Sequence, residues 1–524
     1  MLSLFNRPFR GGVHPKAFKQ LTSEEPIDTK FIPKTVYLNL LLKNGQLLKP
    51  IIAVGQTVVR GQLIAVGSHE MATPLHAPVN GVVTSIKPHI TSHPSGLESE
   101  SIVIHCDDVE KPWVRVDDTN VETLSSDELI GKIADAGIVG LGGGGFPTSV
   151  KLRFAKKARV DTLIINGGEC EPYLTCDDVT MRSYPDEIVI GVRALMKASG
   201  ATKAIIAIED NKPVALTMMR RAANKFSAIE VIKVPSLYPM GSEKHLIKAV
   251  TGKTVPEGKL ATDLGLLVNN IATARAVYLA ICGDQPLVDR VVTVSGNGIV
   301  SPKNVLVPIG TPVSEVIEYC GGFTSDTERL VFGGPMMGQT VTAPLVPVDK
   351  TVGGILALTQ REVVKQDKQS CIRCGQCVKA CPMGLMPLKI AEKTRVNDYQ
   401  SAQELGVMNC LSCGACSYVC PSHIPLVQYF MHAKGAIRAV QVEERKALTV
   451  KQLSEARQIR LEQEAMARKK AKAERARPSR RKNVQNTADE MDAATTPVKK
   501  DKPARPQRPA RKRNVVTKEK VEND

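Results

Sequence analysis

Apolar residues along the first part of the chain fall in short runs broken by glycine. From about Val36 to Cys106 these read VYLNLLL, IIAVGQTVVRGQLIAVG and APVNGVVTSIKP, a β-rich pattern that predicts short strands. The period then changes. Ser125-x-x-Glu128 is a capping box that opens a helix through about Ala136, stopped at Gly137. Past a glycine run the two periods alternate: strand DTLIIN at 161–166, helix near 186–199, strand AIIAIE at 204–209, helix near 213–225, strand IEVIKV at 229–234. Such alternation predicts a parallel sheet with ligand sites at the carboxyl ends of its strands. From Arg290 to about Leu345 short strands return around one helix. Helical spacing follows between Leu385 and Leu405, with Leu388, Ala391, Ala402 and Leu405 marking the apolar face. Beyond Ile424 a single long helix is expected, its apolar periodicity fading after about Leu461.

Composition adds scale and location to this multidomain α/β reading. The 524 residues suggest about three or four domains, and 43% apolar content is ample for their cores. No run of 18 or more apolar residues occurs, so any membrane association is expected to be peripheral. The net charge of +17 raises nucleic acid as a partner, but the charge is local: Arg468 to Asp524 holds 19 Lys/Arg against 8 Asp/Glu. That tail, with five prolines from Pro478 on, buries too little to fold and is expected to be disordered. Plain solvation is the bland account of it, and affinity for acidic partners or anionic lipid headgroups the functional one. With one tryptophan and few aromatics for base stacking, nucleic acid is not expected to be a partner.

Candidate chemistry is densest in the cysteines. Eight of the 13 lie in two runs of one pattern, C-x-x-C-x-x-C-x-x-x-C-P: Cys371, Cys374, Cys377, Cys381 and Cys410, Cys413, Cys416, Cys420. Three close thiolates reach three irons of one [4Fe–4S] cube, and the fourth serves the other cube. The spacing therefore assigns Cys371, Cys374, Cys377 and Cys420 to one cluster, and Cys410, Cys413, Cys416 and Cys381 to the other. Zinc pairs lack the third thiol and the trailing Cys-Pro. Disulfides need an oxidising compartment, and the opening MLSLFNRPFRGGVHP has no apolar core of a secretory leader. Most of the other five cysteines (Cys106, Cys170, Cys176, Cys282, Cys320) are expected to be small buried hydrophobes.

A second candidate lies in the α/β block. GLGGGGFPTSVK, Gly140 to Lys151, leads glycines into a helix N-terminus with Pro147 at its first turn, a ready anion site. NGGECEP, Asn166 to Pro172, falls at the carboxyl end of a strand and carries Glu169 and Glu171. These two segments resemble the FMN/NADH-binding subunit of respiratory complex I. With the two cysteine runs and the early FRGGVHP, residues 5 to 435 resemble more closely the RnfC (RsxC) family, the C subunits of Rnf ion-translocating electron-transport complexes. The resemblance implies that Gly140, Gly142, Gly143, Gly144 and Lys151 hold the phosphate and ring edge of non-covalent FMN. Asn166, Glu169 and Glu171 would face flavin and nicotinamide, with Glu171 orienting the latter, and Phe146 or Phe154 would stack. Asn269 and Asn270 match a flavin-contacting V-N-N stretch. The chain departs from the complex I pattern at Gly168 and Cys170, and its loop lacks the arginine.

The implied domains are an N-terminal arm (1–35), a barrel-sandwich hybrid domain (36–112), a Rossmann-like FMN/NADH-binding domain (120–285) and a β-grasp, SLBB-like domain (290–350). A helical two-cluster ferredoxin domain (360–435) and a charged helix with disordered basic tail (436–524) complete them. Gly55, Gly61 and Pro78-Val79-Asn80-Gly81 carry the resemblance to lipoyl-type barrel sandwiches, although the hairpin tip, with His69, Glu70 and Met71, offers no cofactor lysine. The implied function is electron transfer between NADH, FMN and two [4Fe–4S] clusters, coupled to ion translocation by partners. Those partners are the membrane-integral subunits, the iron–sulfur B subunit and a ferredoxin-type redox protein, at the cytoplasmic face of a bacterial inner membrane. The alternative is an iron–sulfur wiring module without NADH chemistry of its own.

Overall fold

The computed structural model describes residues 9–93, 95–107, 121–341, 343–363 and 366–476. Residues 477–524 of the basic tail and the first eight residues of the arm lie outside them, while the start of the tail, 468–476, is helical rather than disordered. A first unit runs through Glu444 and a second begins at Arg445. In the second, every side chain from Arg445 to Arg475 is exposed, within the last part of the helix Leu426–Ala476. Among the described residues no helix is long and apolar enough to cross a membrane.

In the first unit the early short strands form two small antiparallel sheets. Thr35–Asn39 shows the expected alternation, with Val36 and Leu38 buried and their neighbours half-buried. It pairs with Glu98–Cys106, which pairs in turn with Gly81–Ile90. The α/β block is a four-stranded parallel sheet in the order Ile229–Val234, Lys203–Glu209, Thr162–Gly167, Leu266–Asn270. The first strand in sequence lies inside, so the connection reverses direction beside it. That is the switch point at which open α/β sheets bind ligands. Asn166 and Asn270 are partners in register at this edge.

The β-grasp region is a six-stranded sheet. Asp289–Ser295 is central and wholly buried, and the sheet continues to Gly354–Thr359, past residue 350. The arm is a structural strap. Ile27–Asp28 adds an edge strand beside Lys303–Pro308, and Val13 exchanges backbone hydrogen bonds with Tyr238 (2.9 and 3.0 Å). Gly12 N–H donates to Ala380 O (3.0 Å). Glycine is required here: a Cβ at Gly11 would lie 2.6 Å from Cys381 O, at a φ of +77°. The cysteine region is helical and packs Ile390, Ala402, Val407, Leu426 and Phe430 into its own core.

Lys350 joins the sandwich to the α/β block. Its buried Nζ donates to Gly137 O (2.7 Å) and Pro74 O (3.1 Å), two acceptors for the two N–H groups of a neutral amine. Burial pushes its pKa down from 10.5 to about 7. Between those values the unfolded chain holds a proton that the folded one does not, so this group's contribution to stability rises with pH and is lost as pH falls toward 7. Lys350→Met is expected to flatten the rise, by up to about 1.4 kcal/mol per pH unit. Melting curves of both proteins between pH 7 and 10 check this; parallel curves would refute it.

Candidate flavin cleft and paired cysteine groups

A cleft of about 590 Å³ opens at the carboxyl edge of the parallel sheet, within the range of small-molecule sites. Gly142, Gly143, Gly144, Asn166, Glu169, Glu171 and Asn270 all line it. Gly140, Lys151 and Asn269 do not. Gly140 closes the glycine loop, donating to Phe146 O (2.9 Å) and accepting from Gly145 N–H (3.1 Å). Lys151 Nζ is spent on Val268 O (2.6 Å) and Glu243 Oε2 (3.1 Å). Asn269 is buried in its strand with Nδ2 unpartnered among the described residues. Phe146 and Phe154 are exposed and stand outside the cleft lining.

Each cleft side chain is held from several elements. Asn270 caps the helix Ile271–Cys282, accepting from Ala272 N–H (2.8 Å) while its amide donates to Asp177 Oδ2 (2.7 Å). Glu169 accepts from Asp177 N–H (2.8 Å) and Asp178 N–H (3.4 Å), so its carboxylate caps the helix Cys176–Ser183. Glu171 Oε2 accepts from Met336 N–H (3.0 Å), and Oε1 lies 3.5 Å from the Tyr238 hydroxyl. Burial pushes the Glu171 carboxyl up to about 7, against the pull of those backbone donors. Asp177 is pushed up to about 7 by burial and the charge of Glu169. Lys19, from the arm, ties down the loop between them by donating to Glu169 O (2.9 Å), Glu171 O (3.0 Å) and Leu174 O.

Three contributions were not read from sequence. Gly333-Gly334-Pro335 reads as a tight turn, yet Gly333 and Gly334 also line the cleft. A Cβ at Gly334 would lie 2.2 Å from Glu171 Oε2. Tyr238 and Cys413 come from distant segments, and only folding brings them together. Arg290 had a faint signal: with Asp289 it places charge in a strand that is otherwise apolar or small and polar.

Among the described residues the cysteines cross the sequence runs, Cys381 joining the second run and Cys420 lying near Cys377. Cys381, Cys410, Cys413 and Cys416 line one small cavity. Cys377 feels the charges of Cys420 and Cys371, whereas Cys381 feels that of Cys410. Cys371 and Cys374 are exposed. Among the described residues no three metal-binding groups converge tightly enough for a single ion. A cube, bound at separate corners, asks for a more open spacing. Backbone N–H groups point at the sulfurs: Leu385 to Cys381 Sγ and Ser412 to Cys410 Sγ, both 3.3 Å. Such bonds tune cluster potential. Cys413 and Leu411 border this cavity and the cleft alike, and Cys413 O accepts from the Tyr238 hydroxyl (2.6 Å).

The residues fit both groups. The cleft has the volume for a flavin mononucleotide, a Cβ at Gly143 or Gly144 would meet no protein atom within 4 Å, and a helix N-terminus lies beside the loop. Four thiols around one cavity, with donors to sulfur, suit a [4Fe–4S] cluster.

Comparison with known families matches four segments: an RnfC barrel sandwich hybrid domain over 7–109, a Nuo51 FMN-binding domain over 133–279, an SLBB domain over 291–340 and a 4Fe-4S dicluster domain over 363–421. The chain is similar to the C subunit of the ion-translocating oxidoreductase complex of Rhodobacter capsulatus, 46% identical over 82% of this chain and 83% of that protein. It is 40% identical to the protein of the same description from Haemophilus influenzae (strain KW20 / Rd), over 88% of this chain and 57% of that one. A chain in a crystal structure of an NAD⁺-reducing [NiFe]-hydrogenase aligns at 21% identity with a TM-score of 0.43, covering 53% of this chain and 54% of that one.

Proposed function

This chain belongs to the family of ion-translocating oxidoreductase complex C subunits, and we propose that within such a complex it takes electrons from NADH at the cleft and delivers them outward through two cysteine-held clusters. It is an electron-transfer subunit of the oxidoreductase type, with an FMN-binding domain and a 4Fe-4S dicluster domain, and other subunits of the complex are its partners. When bound, FMN converts two-electron hydride chemistry into single-electron release, and [4Fe–4S] clusters carry single electrons.

One observation carries the reading: Cys413 belongs at once to the wall of the cleft and to the buried cysteine group. The group of Cys381, Cys410, Cys413 and Cys416 is then the near station. The group of Cys371, Cys374, Cys377 and Cys420, with two exposed thiols, is the exit toward a ferredoxin-type redox protein or the iron–sulfur B subunit. Gly142 to Gly144 leave room for the nucleotide, and the helix at Asn270 offers a positive N-terminal end. Glu171 holds a carboxyl that titrates near neutrality beside the place a nicotinamide would take. Attachment at the cytoplasmic face of a bacterial inner membrane, against membrane-integral subunits, completes the proposal.

The test is an absorbance spectrum of the anaerobically purified protein before and after NADH, with released flavin quantified. Flavin and iron present and bleached by NADH support the reading. Iron without flavin, or no bleaching, points to a wiring module. Glu171→Gln is expected to keep flavin and iron while NADH-driven bleaching slows about ten- to hundredfold, the equivalent of one charge-assisted contact of roughly 1.5–3 kcal/mol. Stopped-flow bleaching measures it, and an unchanged rate would remove Glu171 from the nicotinamide site.

A further inference from the structure

The cleft is rich in carboxylates: Glu169, Glu171, Asp177 and Glu243 all line it. Its lining among the described residues includes two cations, Lys43 and Arg290. Lys43 is half-exposed and already paired with Asp349 (3.0 Å). Lys151, the lysine that the glycine loop suggested for a phosphate, is occupied elsewhere. Arg290 differs from both. It is buried in the central strand of the β-grasp sheet, and its hydrogen bonds among the described residues end on neutral carbonyls, Lys350 O (2.8 Å) and Leu141 O (3.5 Å). Its Nε has no partner among them.

Among the described residues this buried guanidinium has carbonyls but no carboxylate in hydrogen-bond contact, and a buried charge without a bonded counter-ion is costly. The position fits an anion. Leu141 directly precedes Gly142, so the bond to its carbonyl sets the guanidinium against the base of the glycine loop. A Cβ at Gly353 would lie 3.0 Å from Nη2, so glycine there gives the guanidinium its place. Arg290 also borders a second, smaller cavity of about 30 Å³, room for an ordered water. The charge itself remains for the cleft. Two acids, Asp177 and Asp349, act on Arg290 through space, but Asp177 is engaged by the Asn270 amide and Asp349 by Lys43.

We propose that Arg290 is the phosphate-recognising residue of the cleft, a guanidinium lent by the β-grasp domain to the glycine loop of the α/β domain. The proposal rests on the flavin reading above. The cation arrives from a strand roughly 150 residues after the loop. Arginine suits the task because its planar fork matches phosphate oxygens and stays charged when buried.

The experiment titrates flavin-depleted, full-length protein with FMN and with riboflavin, which lacks the phosphate, following flavin fluorescence. Native protein is expected to prefer FMN. Arg290→Gln is expected to weaken FMN about ten- to hundredfold and to leave riboflavin unchanged, so that the preference collapses. Unchanged FMN affinity, or equal weakening for both flavins, would overturn the assignment. Iron content and melting temperature report folding. Should the glutamine variant misfold, Arg290→Lys decides: a reduced preference for FMN supports the proposal, and a native one overturns it. Failure of native protein to bind FMN at all would count against the flavin reading itself.

Discussion

Gly144→Val is expected to yield a folded, iron-loaded protein without flavin. The position separates ligand from scaffold. Gly143 has a φ of +102°, where a side chain strains the backbone by about 1–3 kcal/mol whatever the cleft holds. Gly144 has no such angle, and a Cβ there meets no protein atom within 4 Å. Valine therefore projects into the cleft and costs the fold little, while it takes space that the nucleotide needs. Overpacking of this kind costs about 1–3 kcal/mol where neighbours can yield, and more where the loop's own N–H groups are shielded. Affinity falls tenfold per roughly 1.4 kcal/mol, so the isolated protein should lose its flavin absorbance while the cysteine region keeps its iron. Full FMN content and NADH bleaching in this variant would end the flavin assignment.

Cys381→Ala is expected to remove the cluster nominally belonging to the other run. Cys381 shares its cavity with Cys410, Cys413 and Cys416, so about half of the iron should go, and with it the station nearest the cleft. Flavin binding should survive, and the more exposed group of Cys371, Cys374, Cys377 and Cys420 should keep its signal. Iron analysis with electron paramagnetic resonance of the reduced variant distinguishes the groups. Loss confined to the exposed group would refute the crossed arrangement.

Local spacing made much of this legible in the sequence. The crossing of the cysteines is expected from three closely spaced thiols and a fourth set apart from them. Asn166 and Asn270 could be placed because each ends a strand of a recognisable βαβ pattern. What escaped depends on contacts between distant segments. Glu171 is a site candidate from its place at the end of a strand, but its burial is not legible there: that comes from the approach of Met336 and Tyr238. Lys151 has the right residue type and spacing for a phosphate, but the Val268 carbonyl and Glu243 claim its ammonium. The helix Cys176–Ser183 is short, and its first turn, Asp177-Asp178, looks like solvated charge until Glu169 is seen to cap it. Arg290 was least visible, because an arginine in a strand usually faces water.

The strap formed by the arm bears on how the chain comes to be folded. It precedes its partners by a long stretch of chain: Lys19 waits for carbonyls 150 to 155 residues on, Ile27–Asp28 for Lys303–Pro308, and Gly12 for Ala380. Closing contacts over such separations costs loop entropy before anything is gained. The sandwich, sheet and helical modules can each gather locally while the arm stays loose. Its closure across Ala380 and Cys381 is then expected to come late, which would leave the Cys381 side of the cysteine group open to iron until the strap is drawn over it.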